Sequence, residues 1–248
     1  MLRSEHAAAF DHLIHWVGDL DATMASYDAI GLPTQVALTM PGFRNAAWGV
    51  DDERYVELAT VDDWDAVATS KYAGSLKLLR SGIDALDGPG LLTFAVDVPD
   101  ARAIAARLRE AGREVDEIEV RFEEHDAGFV EVFVRDAPTY FPFFITYDPL
   151  RAEIARMRAA HRAAEGITFE GRPDLIALLI RTHDPDAEAR LLADLVGCPA
   201  VGSTVALPGA EVRFEEGTPT GLYGIVVRGL DQAAEPTKVA GMTVVSES

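Results

Sequence analysis

One pattern recurs along this chain: an apolar run, an Asp, an amphipathic stretch and a closing Gly. Residues 10–17 form the first apolar run, followed by Asp19 and a stretch that ends at Gly31. Residues 91–96 form the second, followed by Asp100 and Gly112 at the same spacing. Residues 174–180 form the third, followed by Asp184, Asp186 and Gly197. A repeated unit constrains the fold strongly, because one such unit cannot bury its own apolar face and has to stack on another.

The middle of each unit reads as a helix. Leu20, Met24, Tyr27 and Ile30 share one face at helical spacing, as do Ala101, Ile104, Leu108 and Ala111. Leu191 and Leu195 mark the third helix, with His183 at its start. Asp suits the first position because its carboxylate accepts free N–H groups there, and Gly suits the stop because it adopts a left-handed backbone cheaply. Strand-like runs follow each helix. They cover residues 35–39, 45–50 and 55–60, then 114–122, 129–135 and 140–147, then 204–207, 212–215, 222–227 and 238–245. The expected class is α+β, built from repeated βαβββ modules. Modules at 10–60 and 90–147 make up a region 1–147. A connector helix follows at 148–166, and a third, partial module occupies 167–248. The connector is expected to be capped by Asp148, to carry Pro149 in its first turn, and to show Leu150, Ile154 and Met157 on one face.

Length and charge narrow the function classes. The 248 residues allow one large domain or two small ones. No apolar run approaches the ~18 residues of a membrane span. The N-terminal segment, with His6 in its tail, lacks a secretory apolar region, so a cytoplasmic location is expected. A net charge of −19 repels phosphate backbones and anionic membranes, which argues against nucleic acid as a partner. The single Cys198 has no partner for an internal disulfide and reads as a packing residue. No phosphate loop, dinucleotide fingerprint, zinc-protease motif or nucleophile elbow is present.

The segments Asp11-His-Leu-Ile-His-Trp-Val-Gly-Asp-Leu20, Gly42-Phe-Arg-Asn45, Tyr55-Val-Glu-Leu58 and Pro142-Phe-Phe-Ile145 resemble the vicinal-oxygen-chelate superfamily. Within it they are most similar to the glyoxalase-like domain group. The resemblance spans roughly residues 10–147, with a weaker echo from 174 onward. It implies that two modules pair into one cup-shaped sheet, with the third module partial. It also implies a divalent metal in the cup, held from the first and last strands of each module, which chelates a small oxygenated substrate.

Strand alternation decides which side chains could face such a cup. His12, Ile14 and Trp16 share one face of the first strand, and the family pattern turns that face inward. Tyr55 and Glu57 share a face of the module's last strand. His12 and Glu57 together make a half-site suited to a weakly bound zinc, iron or manganese ion. The second half is poorer. The position equivalent to His12 is Thr93, and Phe143 or Phe144 stands where an acid is expected. Glu131 or His125 would have to complete the set. Trp16, Asn45, Trp48, Tyr55, Thr93 and Phe144 are the expected pocket residues, with Glu57 as the candidate catalytic base. Against these stand blander readings: His12 bonding a carbonyl, Glu57 pairing with Arg44 or Arg54, His15 as a hydrogen-bonded core residue, and His161 as packing. Two functional classes follow. One is a lyase, isomerase or dioxygenase acting on a small oxygenated metabolite through a degenerate metal site. The other is a metal-free protein that binds or sequesters a small molecule. A homodimer is expected on the ground that an odd module leaves a face to cover.

Overall fold

The computed structural model describes residues 8–166, 168–169, 171–230 and 235–247, so His6 lies outside the described residues. The first module runs β1 (Ala9–Trp16), α1 (Leu20–Ala29), β2 (Thr34–Met40), β3 (Phe43–Gly49) and β4 (Tyr55–Val61). Two helices, α2 (Trp64–Val67) and α3 (Ala73–Ala85), lead to the second module. It comprises β5 (Gly90–Asp97), α4 (Ala101–Glu110), β6 (Val115–Phe122), β7 (Ala127–Val134) and β8 (Phe143–Asp148). Helix α5 (Arg151–Ala164) precedes β9 (Asp174–Thr182), α6 (Pro185–Val196), β10 (Ala200–Val201), β11 (Thr204–Val205) and β12 (Glu211–Glu216). The chain ends with β13 (Gly221–Arg228), β14 (Thr237–Val239) and β15 (Met242–Glu247).

The repeated Asp and Gly do what their chemistry suggests. Asp19, Asp100 and Asp184 accept the backbone N–H groups of Ala22, Ala103 and Ala187 at 3.0 Å each. Such a cap is worth about 1 kcal/mol. Gly31, Gly112 and Gly197 close the three helices at φ of 85°, 81° and 70°. The connector differs from expectation. Asp148 is the last residue of β8 and pairs with Arg121 at 2.6 Å, so it does not cap α5, which has no side-chain cap. Its expected apolar face is open: Leu150 is 58% and Met157 55% exposed, while Arg151 is buried.

Among the described residues, the first two modules form an eight-stranded sheet in the order β2-β3-β4-β1-β5-β8-β7-β6. The modules meet where β1 runs antiparallel to β5, while β4 and β8 lie parallel to them on the outer sides. The remaining strands form a seven-stranded sheet, β10-β11-β12-β9-β13-β15-β14, on the same plan. Here β9 is antiparallel to β13, with β12 and β15 parallel outside them. The C-terminal part therefore holds more than a third module, because β13, β14 and β15 build an abbreviated fourth. Among the described residues it has three strands, where each of the first two modules has four. The run expected as one strand at 238–245 is instead a hairpin. Ala240 and Gly241 both have positive φ, 44° and 83°, which turns the chain sharply.

The two sheets share one core. Phe10, Leu13, Phe94 and Phe144 from the first, with Tyr27 of α1, pack in the same cluster as Leu178, Ile180, Val212, Ile225 and Met242 from the second. The third module thus has its own partner within the chain, and the motive for expecting a second copy falls away. Cys198 packs partly buried against this core, and burial raises its thiol pKa, which disfavours the reactive thiolate. No helix among the described residues is long and apolar enough to cross a membrane.

Candidate functional site

The concave face of the first sheet encloses a cavity of about 790 Å³. Alternation along β1 sends His12, Ile14 and Trp16 into it, while Leu13 and Val17 enter the shared core. On β4, Tyr55, Glu57 and Ala59 line the cavity and Val56 and Leu58 face the core. On β3, Asn45 lines it. Three expected pocket residues do not. Trp48 lies on the opposite face of β3 and is 1% exposed in the core. Phe144 is likewise buried in the core, and its neighbour Phe143 takes the cavity-facing position on β8. Thr93 donates its hydroxyl to the Phe141 carbonyl at 2.6 Å and lines a separate cavity of about 350 Å³. A register shift beside β1 explains this. Ile14 pairs with Thr93 and His15 with Leu91, so Leu92 bulges and turns into the main cavity.

A second irregularity builds the polar centre. Phe10 pairs with Val96 and His12 with Ala95, leaving Asp11 as the extra residue of a bulge. A regular strand would point Asp11 and His12 to opposite faces; the bulge brings them together. Asp11 Oδ2 lies 2.6 Å from His12 Nδ1 and accepts the Tyr147 hydroxyl at 2.8 Å. Its Oδ1 forms an ion pair with Arg151 Nε at 2.7 Å. The carboxylate can only accept, so it fixes the proton of a neutral His12 on Nδ1 and leaves Nε2 as a base. The ring stacks on Tyr55 at a centroid distance of 4.7 Å, with Phe143 edge-on at 5.7 Å. Nε2 sits 3.6 Å from Glu57 Oε2, too far for a hydrogen bond. The other Glu57 oxygen accepts the Asn45 amide at 2.5 Å. Neither expected arginine pairs with Glu57: Arg44 reaches Asp21 and Asp62, and Arg54 holds Asp51 and Asp174.

Module two contributes a second carboxyl. Glu131 on β7 lines the same cavity, 8% exposed, and accepts the Ser75 hydroxyl of α3. Burial raises its pKa to about 7, against the opposing pull of the Ser75 hydrogen bond and the nearby His12. Tyr72 also lines the cavity, its phenol pKa raised by burial and by the charges of Glu57 and Glu131. Asp11, Arg151, Tyr147 and Ser75 were not expected in the site. A bulge leaves no mark on an alternating pattern, and helix packing over a sheet is a long-range fact.

The other histidines take different roles. His15 is a core residue, with Nδ1 2.8 Å from the Tyr27 hydroxyl and Nε2 2.8 Å from the Ala240 carbonyl. His161, expected to pack, is exposed at the cavity rim. His125 is exposed in a short 3-10 turn and does not line the cavity. A metal centre of the family type would need donors from both modules. The cavity-facing positions of β5 and β8 carry Leu92, Phe143, Ile145 and Tyr147, and the Tyr147 hydroxyl is already given to Asp11. Glu131 is tied to Ser75, and its raised pKa means that a metal has to displace a proton to bind it. Among the described residues no three of His, Cys, Asp and Glu converge on a metal position. The donor set therefore does not fit a three- or four-ligand centre.

Comparison with known proteins agrees with this architecture. The glyoxalase-like domain family matches residues 10–196. A hypothetical protein from Staphylococcus aureus shares the fold over 97% of this chain and 98% of its own, with a TM-score of 0.73 and 17% identity. A mutant of 4-hydroxymandelate synthase from Streptomyces coelicolor covers 90% of this chain over 71% of its own, at TM-score 0.53 and 14% identity. A methylmalonyl-CoA epimerase variant from the same organism covers 57% of this chain over 97% of its own, at TM-score 0.40 and 22% identity. A search of the curated proteins finds no match. With its family pattern spanning most of the length and its paired modules forming a cup, the chain belongs to the glyoxalase-like domain family.

Proposed function

We propose that the cup catalyses proton transfer on a small oxygen-bearing molecule, as an isomerase or lyase. Glu57 accepts the proton beside the Asp11–His12 pair, and Glu131 donates one to the oxygen. The observation that carries this reading is the contrast between two carboxyls of one cavity. Glu57 is steadied by Asn45 beside a histidine, whereas burial raises the Glu131 pKa to about 7, so that it still holds a proton on about half of the molecules at pH 7. Groups whose environments push their proton affinities apart serve as acid and base. Removing a proton from carbon beside a carbonyl builds negative charge on the carbonyl oxygen, and a neutral carboxyl can meet that charge with a proton. The donor set gives no support to a dioxygenase. A second reading, metal-free binding or sequestering, draws on the apolar side of the cup formed by Leu92, Phe143 and Ile145.

The test is incorporation of solvent deuterium into α-hydroxy carbonyl and dicarbonyl compounds, followed by NMR. Glu57→Gln should slow exchange by about 100-fold or more while ligand affinity changes little, the scale expected for loss of a general base. If no compound exchanges and Glu57→Gln alters only affinity, the sequestering reading replaces the catalytic one.

A further inference from the structure

We infer that the mouth of the cup recognises an anionic group, a carboxylate or a phosphate, carried at the end of the ligand remote from its reacting carbon. The inference rests on the proposed chemistry only for which end of the cavity is the reacting end. The chain has 41 acidic residues against 22 Lys and Arg, yet Arg158, Arg162 and Arg172 all line this one cavity, with His161 beside them. They come from α5 and the segment after it, beside Asp52 in the loop before β4, whereas Glu57 and Glu131 stand within β4 and β7.

The three arginines differ in how far they are committed. Arg162 holds the Asp52 carboxylate through Nε at 3.0 Å and Nη2 at 2.5 Å. Arg158 reaches only the backbone carbonyl of Asp52, at 3.4 Å. Arg172 lies over the Phe169 ring at 5.1 Å, and Arg162 lies 4.6 Å from the same ring. Among the described residues no carboxylate pairs with Arg158 or Arg172. The aromatic ring orients the Arg172 guanidinium in advance, so less side-chain freedom is lost when an anion docks. A guanidinium fork matches the paired oxygens of a carboxylate or phosphate. A permanent anion is disfavoured at the other end, where Glu57 stands beside His12 and Glu131 lines the same wall. The cavity thus has a polarity that orients its ligand, and at about 790 Å³ it has room for an apolar body between the two ends.

Binding can be read without turnover from the fluorescence of Trp16 and Trp64, which stack at 6.2 Å on the cavity side of the sheet. The probes are 4-phenylbutyrate, 2-phenylethyl phosphate and the neutral 4-phenylbutanol. At least one anion should bind tenfold or more tightly than the alcohol at low salt, and the larger ratio identifies carboxylate or phosphate as the preferred group. The double variant Arg158→Gln/Arg172→Gln should bring the ratio below twofold, and its binding of the alcohol reports that the cup is still folded. A ratio near one in the wild type, or an unchanged ratio in the double variant, overturns the inference. Deuterium exchange without anion preference sinks this inference alone. Anion preference without exchange on any compound supports it and sinks the catalytic reading alone.

Discussion

Burial keeps Glu131 protonated up to about pH 7, and the Ser75 hydroxyl and His12 pull the other way. If Glu131 is the proton donor, the rate falls as pH rises through 7, because the acid loses its proton. Glu131→Gln should abolish that alkaline limb along with most of the rate. Ser75→Ala removes a donor that stabilises the carboxylate, so the limb should move to higher pH, as rate profiles from pH 6 to 9 would show. An unmoved limb would mean that Ser75 does not act through Glu131. At this scale the sequence was readable wherever the strand alternated strictly. His12, Trp16, Tyr55 and Glu57 face the cavity because period two held along β1 and β4. Trp48 and Phe144 sit one residue away from cavity-facing positions, and a one-residue error in register inverts every side chain. Asp11 escaped notice because only a bulge turns it beside His12.

Helix α5 illustrates how one element joins the polar centre to the rim. Its buried Arg151 pairs with Asp11 at the inner end, and Arg158, His161 and Arg162 follow outward along the same helix to the cavity mouth. Arg151 also lies over the Tyr147 and Tyr55 rings at 5.2 and 5.6 Å. Breaking a buried pair leaves the partner charge uncompensated, which costs about 3–5 kcal/mol. Arg151→Ala should therefore lower unfolding stability in urea by about that much. The double variant Asp11→Asn/Arg151→Met should recover part of the loss, since neither charge is then stranded. A loss under about 1 kcal/mol would show that water already reaches Asp11. The sequence revealed this helix but not its role. An Arg in the first turn of an apparently amphipathic helix reads as solvated surface, and only the fold places a buried carboxylate beneath it. The capping Asp and closing Gly residues of α1, α4 and α6 were legible because caps are local chemistry.

The two sheets are coupled through buried polar contacts as well as through their common core. Ala240 belongs to the abbreviated fourth module, and its carbonyl accepts from His15 Nε2 of the first. A carbonyl only accepts, so the proton of neutral His15 is on Nε2, and Nδ1 accepts the Tyr27 hydroxyl. Burial lowers the His15 pKa to about 4, against the Ala240 hydrogen bond. Between pH 6.5 and 4 the unfolded chain binds this proton and the folded chain does not. His15 therefore contributes stability that is present above pH 6.5 and lost as pH falls, amounting to about 3 kcal/mol. Glu131 has the opposite sign. Its folded pKa lies above the unfolded value, so its contribution is greatest below about pH 4.5 and is lost as pH rises to 7, again by about 3 kcal/mol. The two slopes nearly cancel in the wild type, provided both groups act on one unfolding equilibrium. His15→Gln should then be a protein whose stability, relative to wild type, improves as pH falls from 7 to 4.5. Glu131→Gln should lose stability relative to wild type over the same range, and the double variant should follow the wild-type slope at a lower overall stability. Urea midpoints at four pH values between 4.5 and 7.5 measure all four proteins. The groups belong to different regions, the cup and the seam between the sheets, so additive slopes on a single transition require the sheets to unfold together. Two separate transitions, with His15→Gln moving only one of them, would show instead that each sheet is stable without the other.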